Sequence, residues 1–162
     1  MHILPLLRSF MRGGSWLAGL TCLACSTPAF ASNPHAAPSV DMIREIGFGT
    51  VALGSDGGKV TVTPSGALSC TGGLRCLGGQ SAGAFTITGA RDEIVSITVS
   101  PARLIDGSGH SLDAVFVPSD STMVLRPGNE KNPFTVGGTL TASKAPVEGN
   151  YSGTVDVIVD YQ

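Results

Sequence analysis

The sequence predicts an all-β chain folded as an antiparallel sandwich of seven to eight short strands. Three observations carry that expectation. Glycine is abundant, with 22 in 162 residues, and Thr, Val and Ser are frequent beyond residue 31, a composition of short strands joined by turns. Apolar and polar residues alternate in several segments, each closed by glycine or proline. No segment has the spacing of a helix longer than a turn or two.

The first 31 residues read as an export signal. Arg8 and Arg12 form a basic start, Trp16 to Cys25 is a short apolar run, and Ala29-Phe30-Ala31 fits the small-x-small cleavage rule. The run is far below the roughly 20 residues that span a bilayer. Cys22 and Cys25 lack the Leu-small-small triplet of lipoprotein processing. The expected mature chain starts at Ser32, with no membrane insertion after cleavage. Residues 32–41 read as a flexible leader containing Pro34 and Pro38, and residues 42–162 as one β-sandwich domain.

Within that domain the elements follow in order. Ile43, Ile46 and Phe48 lead through Gly47 and Gly49 to Leu53, read as a first strand. A helix is disfavoured because those glycines sit inside the run. Gly54 to Gly58 is a turn, and Lys59 to Thr63 alternates as a half-buried strand that ends at Pro64-Ser65-Gly66. After a cysteine loop come strands at Ala84 to Thr88, Glu93 to Ser100 and Leu112 to Val117. Leu104-Ile105 reads as a short edge strand. Pro118 to Pro133 is rich in turns. Phe134 to Ala142 is a strand interrupted by Gly137-Gly138, which suggests a bulge or a bend between sheets. Tyr151 to Tyr161 is the last strand.

Two cysteines lie beyond the signal, Cys70 and Cys76. Export implies an oxidising compartment, and the intervening TGGLR contains two glycines, so a disulfide staple is expected. Redox or metal use would need C-x-x-C spacing or further ligands. Without the signal the chain holds 8 basic and 12 acidic residues. A mildly acidic chain without a basic run argues against nucleic acid as a partner.

The terminal strand is the most informative segment. Val155, Val157, Val159 and Tyr161 fall on one face by the two-residue period of a strand. Tyr161 is penultimate, and Gly149 is fourteenth from the end. This arrangement resembles the C-terminal signature of subunits assembled by the chaperone–usher pathway. The resemblance implies an immunoglobulin-like, pilin-like sandwich in which Gly149, Val155, Val157, Val159 and Tyr161 form the assembly strand. It implies as partners a periplasmic chaperone, an outer-membrane usher and further copies of the chain. Location would be the periplasm and then the cell surface as a fimbrium, or the extracellular space. In such systems main-chain hydrogen bonds supply affinity, and alternate side chains supply register.

A broader resemblance spans nearly the whole domain. Ile46-Gly47-Phe48-Gly49-Thr50-Val51, Gly58 to Pro64, Ala84 to Gly89, Val136 to Leu140 and Gly149 to Thr154 look like the domain of unknown function 4402, a family of secreted bacterial proteins. That family is similar in outline to spore-coat-U-like and archaic chaperone–usher pilins. Two features depart from the pilin pattern. Cys70 and Cys76 close only a local loop, whereas the usual pilin disulfide joins the first strand to a much later one. The leader prolines lack N–H donors, and the nearest alternation, Val40, Met42, Ile46 and Phe48, is broken by Arg44. If those residues serve as a donor strand they cannot also be this subunit's own first strand.

No residue pattern marks chemistry, and neither an enzyme nor a bound cofactor or metal is expected. His35 falls in the leader. His110 sits in Gly107-Ser108-Gly109-His110-Ser111 near Asp106 and Asp113, where a catalytic reading would require a serine to converge with them. A polar turn is favoured. Asp56 lacks calcium-loop spacing, and no phosphate loop is present. The expected function is a pilin-like structural subunit of a bacterial surface fibre. The alternative is a self-complete secreted sandwich that acts as a cell-surface or matrix binding module.

Overall fold

The computed structural model describes residues 36–126, 131–144 and 146–162. The expected signal, the start of the leader and His35 lie outside the described residues. What is described is all-β, without helix and with only antiparallel pairing.

The strands are β1 (Ser39–Arg44), β2 (Thr50–Ala52), β3 (Gly58–Val62), β4 (Leu68–Cys70), β5 (Arg75–Gly78) and β6 (Gly83–Thr88), then β7 (Ile94–Val99), β8 (Ala102–Ile105), β9 (Ser111–Pro118), β10 (Thr122–Val124), β11 (Asn132–Ala142) and β12 (Val157–Tyr161). The described residues thus form twelve strands, more than the seven or eight expected. The additional ones are short: β4 and β5 flank the cysteine loop, and β10 lies in the turn-rich stretch.

β11 organises the largest sheet. One of its edges pairs with β9 through residues 136–141. Its other edge pairs with β6 through residues 132–136 and then with β3 through residues 138–142. The handover falls at Gly137, where an added Cβ would lie 2.5 Å from the carbonyl oxygen of Val62. The Gly-Gly interruption is therefore a change of partner along one continuous strand. β1 extends this sheet beyond β6, β4 beyond β3, and β8 beyond β9. The sheet curls into half a barrel. A second sheet runs β10-β7-β12, and β2 pairs with β5 as a small third one.

The core is built from alternate residues of several strands. Val60 and Val62 of β3, Ile87 of β6, Val95 and Ile97 of β7, and Phe134, Val136 and Leu140 of β11 are buried, together with Leu125. Phe85 and Phe134 sit opposite each other across β6 and β11 and stack with ring centroids 5.3 Å apart, a favourable cross-strand pair. Asn132 is the buried polar residue of the described core. Its Oδ1 accepts from the Arg126 N–H at 2.9 Å, and its Nδ2 donates to the Ile87 carbonyl at 3.1 Å.

The single first strand expected from Ile43 to Leu53 is two strands in different sheets. β1 begins at Ser39, inside the segment read as leader, and pairs with β6. β2 pairs with β5. Between them Gly49 has φ 73° and passes against the backbone of Gly78 to Gln80. That left-handed conformation favours glycine and turns the chain from one sheet to the next. The Cys70–Cys76 disulfide is present with its Cα atoms 5.7 Å apart, and it joins β4 of the large sheet to β5 of the small one.

Candidate functional site

The expected terminal strand from Tyr151 to Tyr161 is a ladder only from Val157. The reason lies in its partners. Ser152 exchanges backbone hydrogen bonds with Ile105 of β8, in the large sheet, at 2.8 and 3.1 Å. Four residues later the Asp156 carbonyl accepts from Ser100 N–H at 3.0 Å, and residues 157–161 pair with β7 in the other sheet. A chain that changes sheets between residues 152 and 157 cannot keep one ladder. Gly153 makes the crossing close, since a Cβ there would meet the Arg103 carbonyl at 2.7 Å.

The alternation of side chains survives this break. Val155, Val157 and Tyr161 are half-buried against the core and Val159 is buried, whereas Thr154, Asp156, Ile158 and Asp160 are exposed. Four of the five expected assembly residues therefore share one inward face. Gly149 does not join them. It lies in the loop before the crossing, where an added Cβ would meet Asp106 Oδ2 at 3.1 Å.

β12 pairs with β7 on one edge only, among the described residues. A few residues of β12 approach β1, the outermost strand of the large sheet, with no ladder between the two strands among the described residues. The Tyr161 hydroxyl ties the two ends together. It accepts from the Ala90 N–H at 2.7 Å and donates to the Ala36 carbonyl at 3.2 Å. The chain just ahead of β1 is thus tethered to the end of the last strand through Tyr161. The side chains of β1 contribute little burial. Val40 is half-buried, the other five are exposed, and Met42 and Ile43 stand 59 % and 61 % exposed. Arg44 donates from Nε to the Ala82 carbonyl at 3.0 Å.

A cavity of about 730 Å³ opens where the chain leaves β1 and where it approaches β12. Residues 45–53 form one part of its wall, and residues 146–153 with Val155 form another. Leu74, Phe116 and Leu140 close its interior. Phe48 and Phe116 meet in it with centroids 6.3 Å apart. The Tyr151 hydroxyl donates to the Val147 carbonyl at 2.8 Å, which folds the 146–151 loop on itself. Loss of solvent, and then the nearby Asp106 charge, raise the Tyr151 phenol above its ordinary pKa.

His110 belongs to the turn that closes the β8–β9 hairpin, as its sequence suggested. Asp106 Oδ1 accepts from the N–H groups of Ser108 and His110 at 2.9 and 2.7 Å, and Oδ2 accepts from His110 Nδ1 at 2.8 Å. The Asp106 side chain is only 6 % exposed. The His110 side-chain hydrogen bond holds its carboxyl below the ordinary aspartate value, and the two backbone donors reinforce this against the opposing effect of burial. Asp113 turns away to Arg103 at 3.0 Å. Asp106 and His110 together close the turn between β8 and β9. The described residues hold no group of three or more His, Cys, Asp or Glu side chains suited to a metal.

The partnership of Tyr161 with Ala90 and Ala36, the single-edged pairing of β12 and the cavity were not visible in the sequence. Each depends on residues distant along the chain. The sequence reading carried the last strand through Gly153 from Tyr151, whereas the ladder starts at Val157.

None of the curated proteins and none of the solved structures is similar enough to the chain to match it. The family model described as domain of unknown function (DUF4402) matches residues 39–161, from the first residue of β1 to the last residue of β12. That match covers the whole of the strand architecture, and the chain belongs to the DUF4402 family.

Proposed function

We propose that this protein is a pilin-like structural subunit of a bacterial surface fibre, assembled by exchange of its N-terminal strand and carrying no catalytic site. The supporting observation is how β1 is held. It forms an antiparallel ladder with β6 from Ser39 to Arg44, yet five of its six side chains are exposed. Backbone ladder bonds therefore supply most of its attachment, and those are the same whichever copy donates the strand. A second copy's β1 could take the place beside β6 at small cost. Repeated head-to-tail, such an exchange gives an open fibre. Export to the periplasm, a chaperone that guards the vacated edge and an usher belong to the same proposal.

One observation favours the alternative, a self-complete secreted sandwich that serves as a surface or matrix binding module. β1 is already paired within its own chain, and Tyr161 is bonded to Ala36 just ahead of it.

The test expresses the full-length gene for export in a host without a cognate chaperone. Molecular mass by light scattering and thermal unfolding are then measured with and without a peptide copying residues 36–48. Concentration-dependent polymers, or an unstable protein rescued by the peptide, support the fibre subunit. A cooperative monomer indifferent to the peptide overturns it in favour of the binding module.

A further inference from the structure

We propose that the cavity between residues 45–53 and 146–155 binds a small cationic amphiphile, an apolar chain bearing one positively charged head. This does not rest on strand exchange, because no residue of β1 or β6 lines the cavity.

Size and wall chemistry come first. A volume of about 730 Å³ lies in the range of small-molecule sites, roughly 300–1,000 Å³. Protein interiors otherwise pack with few voids larger than a water molecule. The walls are side chains such as Phe48, Leu74, Leu104, Leu112, Phe116 and Leu140, drawn from the loop before β2 and from four further parts of the fold. Leu74, Phe116 and Leu140 are buried in the continuous core, so the inner wall is formed by the fold itself and offers apolar side chains to a ligand's chain.

Charge selects the head. The charged side chains that line the cavity are Glu45 and Glu148, and both are exposed. No Lys, Arg or His lines it among the described residues. Asp106 lies near Gly149, but it does not line the cavity and its carboxylate is already held by His110. A carboxylate head would bring like charge to this mouth without a counter-ion, whereas an ammonium head would gain attraction in a partly desolvated setting.

The test uses the full-length protein and isothermal titration calorimetry at low ionic strength. The probes are dodecyltrimethylammonium, dodecyl maltoside and dodecanoate, each below its critical micelle concentration. The expected result is saturable one-to-one binding of the ammonium, about tenfold or more tighter than dodecanoate. The paired variant Glu45→Gln and Glu148→Gln should reduce that preference to about threefold or less, with maltoside binding unchanged. Leu112→Trp, which narrows the cavity, should weaken all three, and circular dichroism checks that it folds. Absence of saturable binding, equal affinity for both charged probes, or a preference untouched by the glutamine pair overturns the proposal. Peptide rescue with no ammonium binding would remove this site and leave the fibre reading standing. Ammonium binding by an indifferent monomer would do the reverse.

Discussion

The hydroxyl of Tyr161 accepts a hydrogen bond from the backbone N–H of Ala90 at 2.7 Å. Ala90 follows β6 and Tyr161 ends β12, so this bond joins the large sheet to the three-stranded one. Gly89 allows the approach, since a Cβ there would lie 2.7 Å from the same hydroxyl. The second bond, to Ala36, fixes the chain just before β1. One phenol therefore ties the end of the last strand to the end of β6 and to the chain just ahead of β1.

Tyr161→Phe keeps the ring and removes both bonds, leaving a part-buried N–H without its partner. Stability should fall by about 1–2 kcal/mol. Urea unfolding should show a lower midpoint at unchanged slope. Amide exchange at residues 39–44 should also rise, because β1 loses its tether. An unchanged midpoint would mean that the hydroxyl bonds contribute nothing net.

Gly137→Ala tests the partner handover on β11. The added methyl would meet Val62, Thr63 and Pro64 backbone atoms at 2.5–2.6 Å, and backbone at a strand end cannot swing aside like a side-chain tip. A loss of about 1–3 kcal/mol is expected from overpacking, read from thermal unfolding. Gly107→Ala, in open space at the β8–β9 turn, should stay within about 0.5 kcal/mol and serves as the control.

Reduction of Cys70–Cys76, or its replacement by a serine pair, frees a short loop. The loop-entropy account gives about 2 kcal/mol for such a ring. The midpoint of unfolding should drop in reductant for the native protein and not for the serine pair. An equal response of both would show that the bridge is not what the reductant acts on.

Asp106 makes stability depend on acid. Its pKa is depressed in the folded protein, mainly by the His110 side chain, so its contribution is fully present above the unfolded value near pH 4 and is lost as pH falls through the lower folded value. Urea midpoints between pH 6 and pH 2 should fall in the native protein. Asp106→Asn should lower the midpoint at pH 6 and flatten the acid limb. If both proteins share one acid profile, the turn does not depend on the carboxylate charge.

Much of the fold was legible because its signals are local. The alternation of Lys59 to Thr63 marked a half-buried strand, and Val60 and Val62 are its buried residues. Pro101 and Pro118 marked the ends of β7 and β9, and the Gly-Ser-Gly-His turn was read as a turn. The inward face of Val155, Val157, Val159 and Tyr161 followed from the two-residue period and held even where the ladder did not. Less legible was the stretch from Ile43 to Leu53. A glycine inside an apolar run signals a break, but not whether the chain resumes in the same sheet.

The sequence by itself determined the all-β class, most strand positions, the cysteine staple and which side of the last strand faces inward. Period, turn chemistry and loop length are written in neighbouring residues. Only the tertiary structure decided that β11 serves three partners, that Tyr161 reaches Ala36 ahead of β1, that the last strand starts at Val157 and that residues 45–53 and 146–155 line a cavity. Those outcomes depend on which distant backbone edge has a free N–H and C=O to offer and on how sheets twist and close, and no window of the chain contains both halves of such a contact.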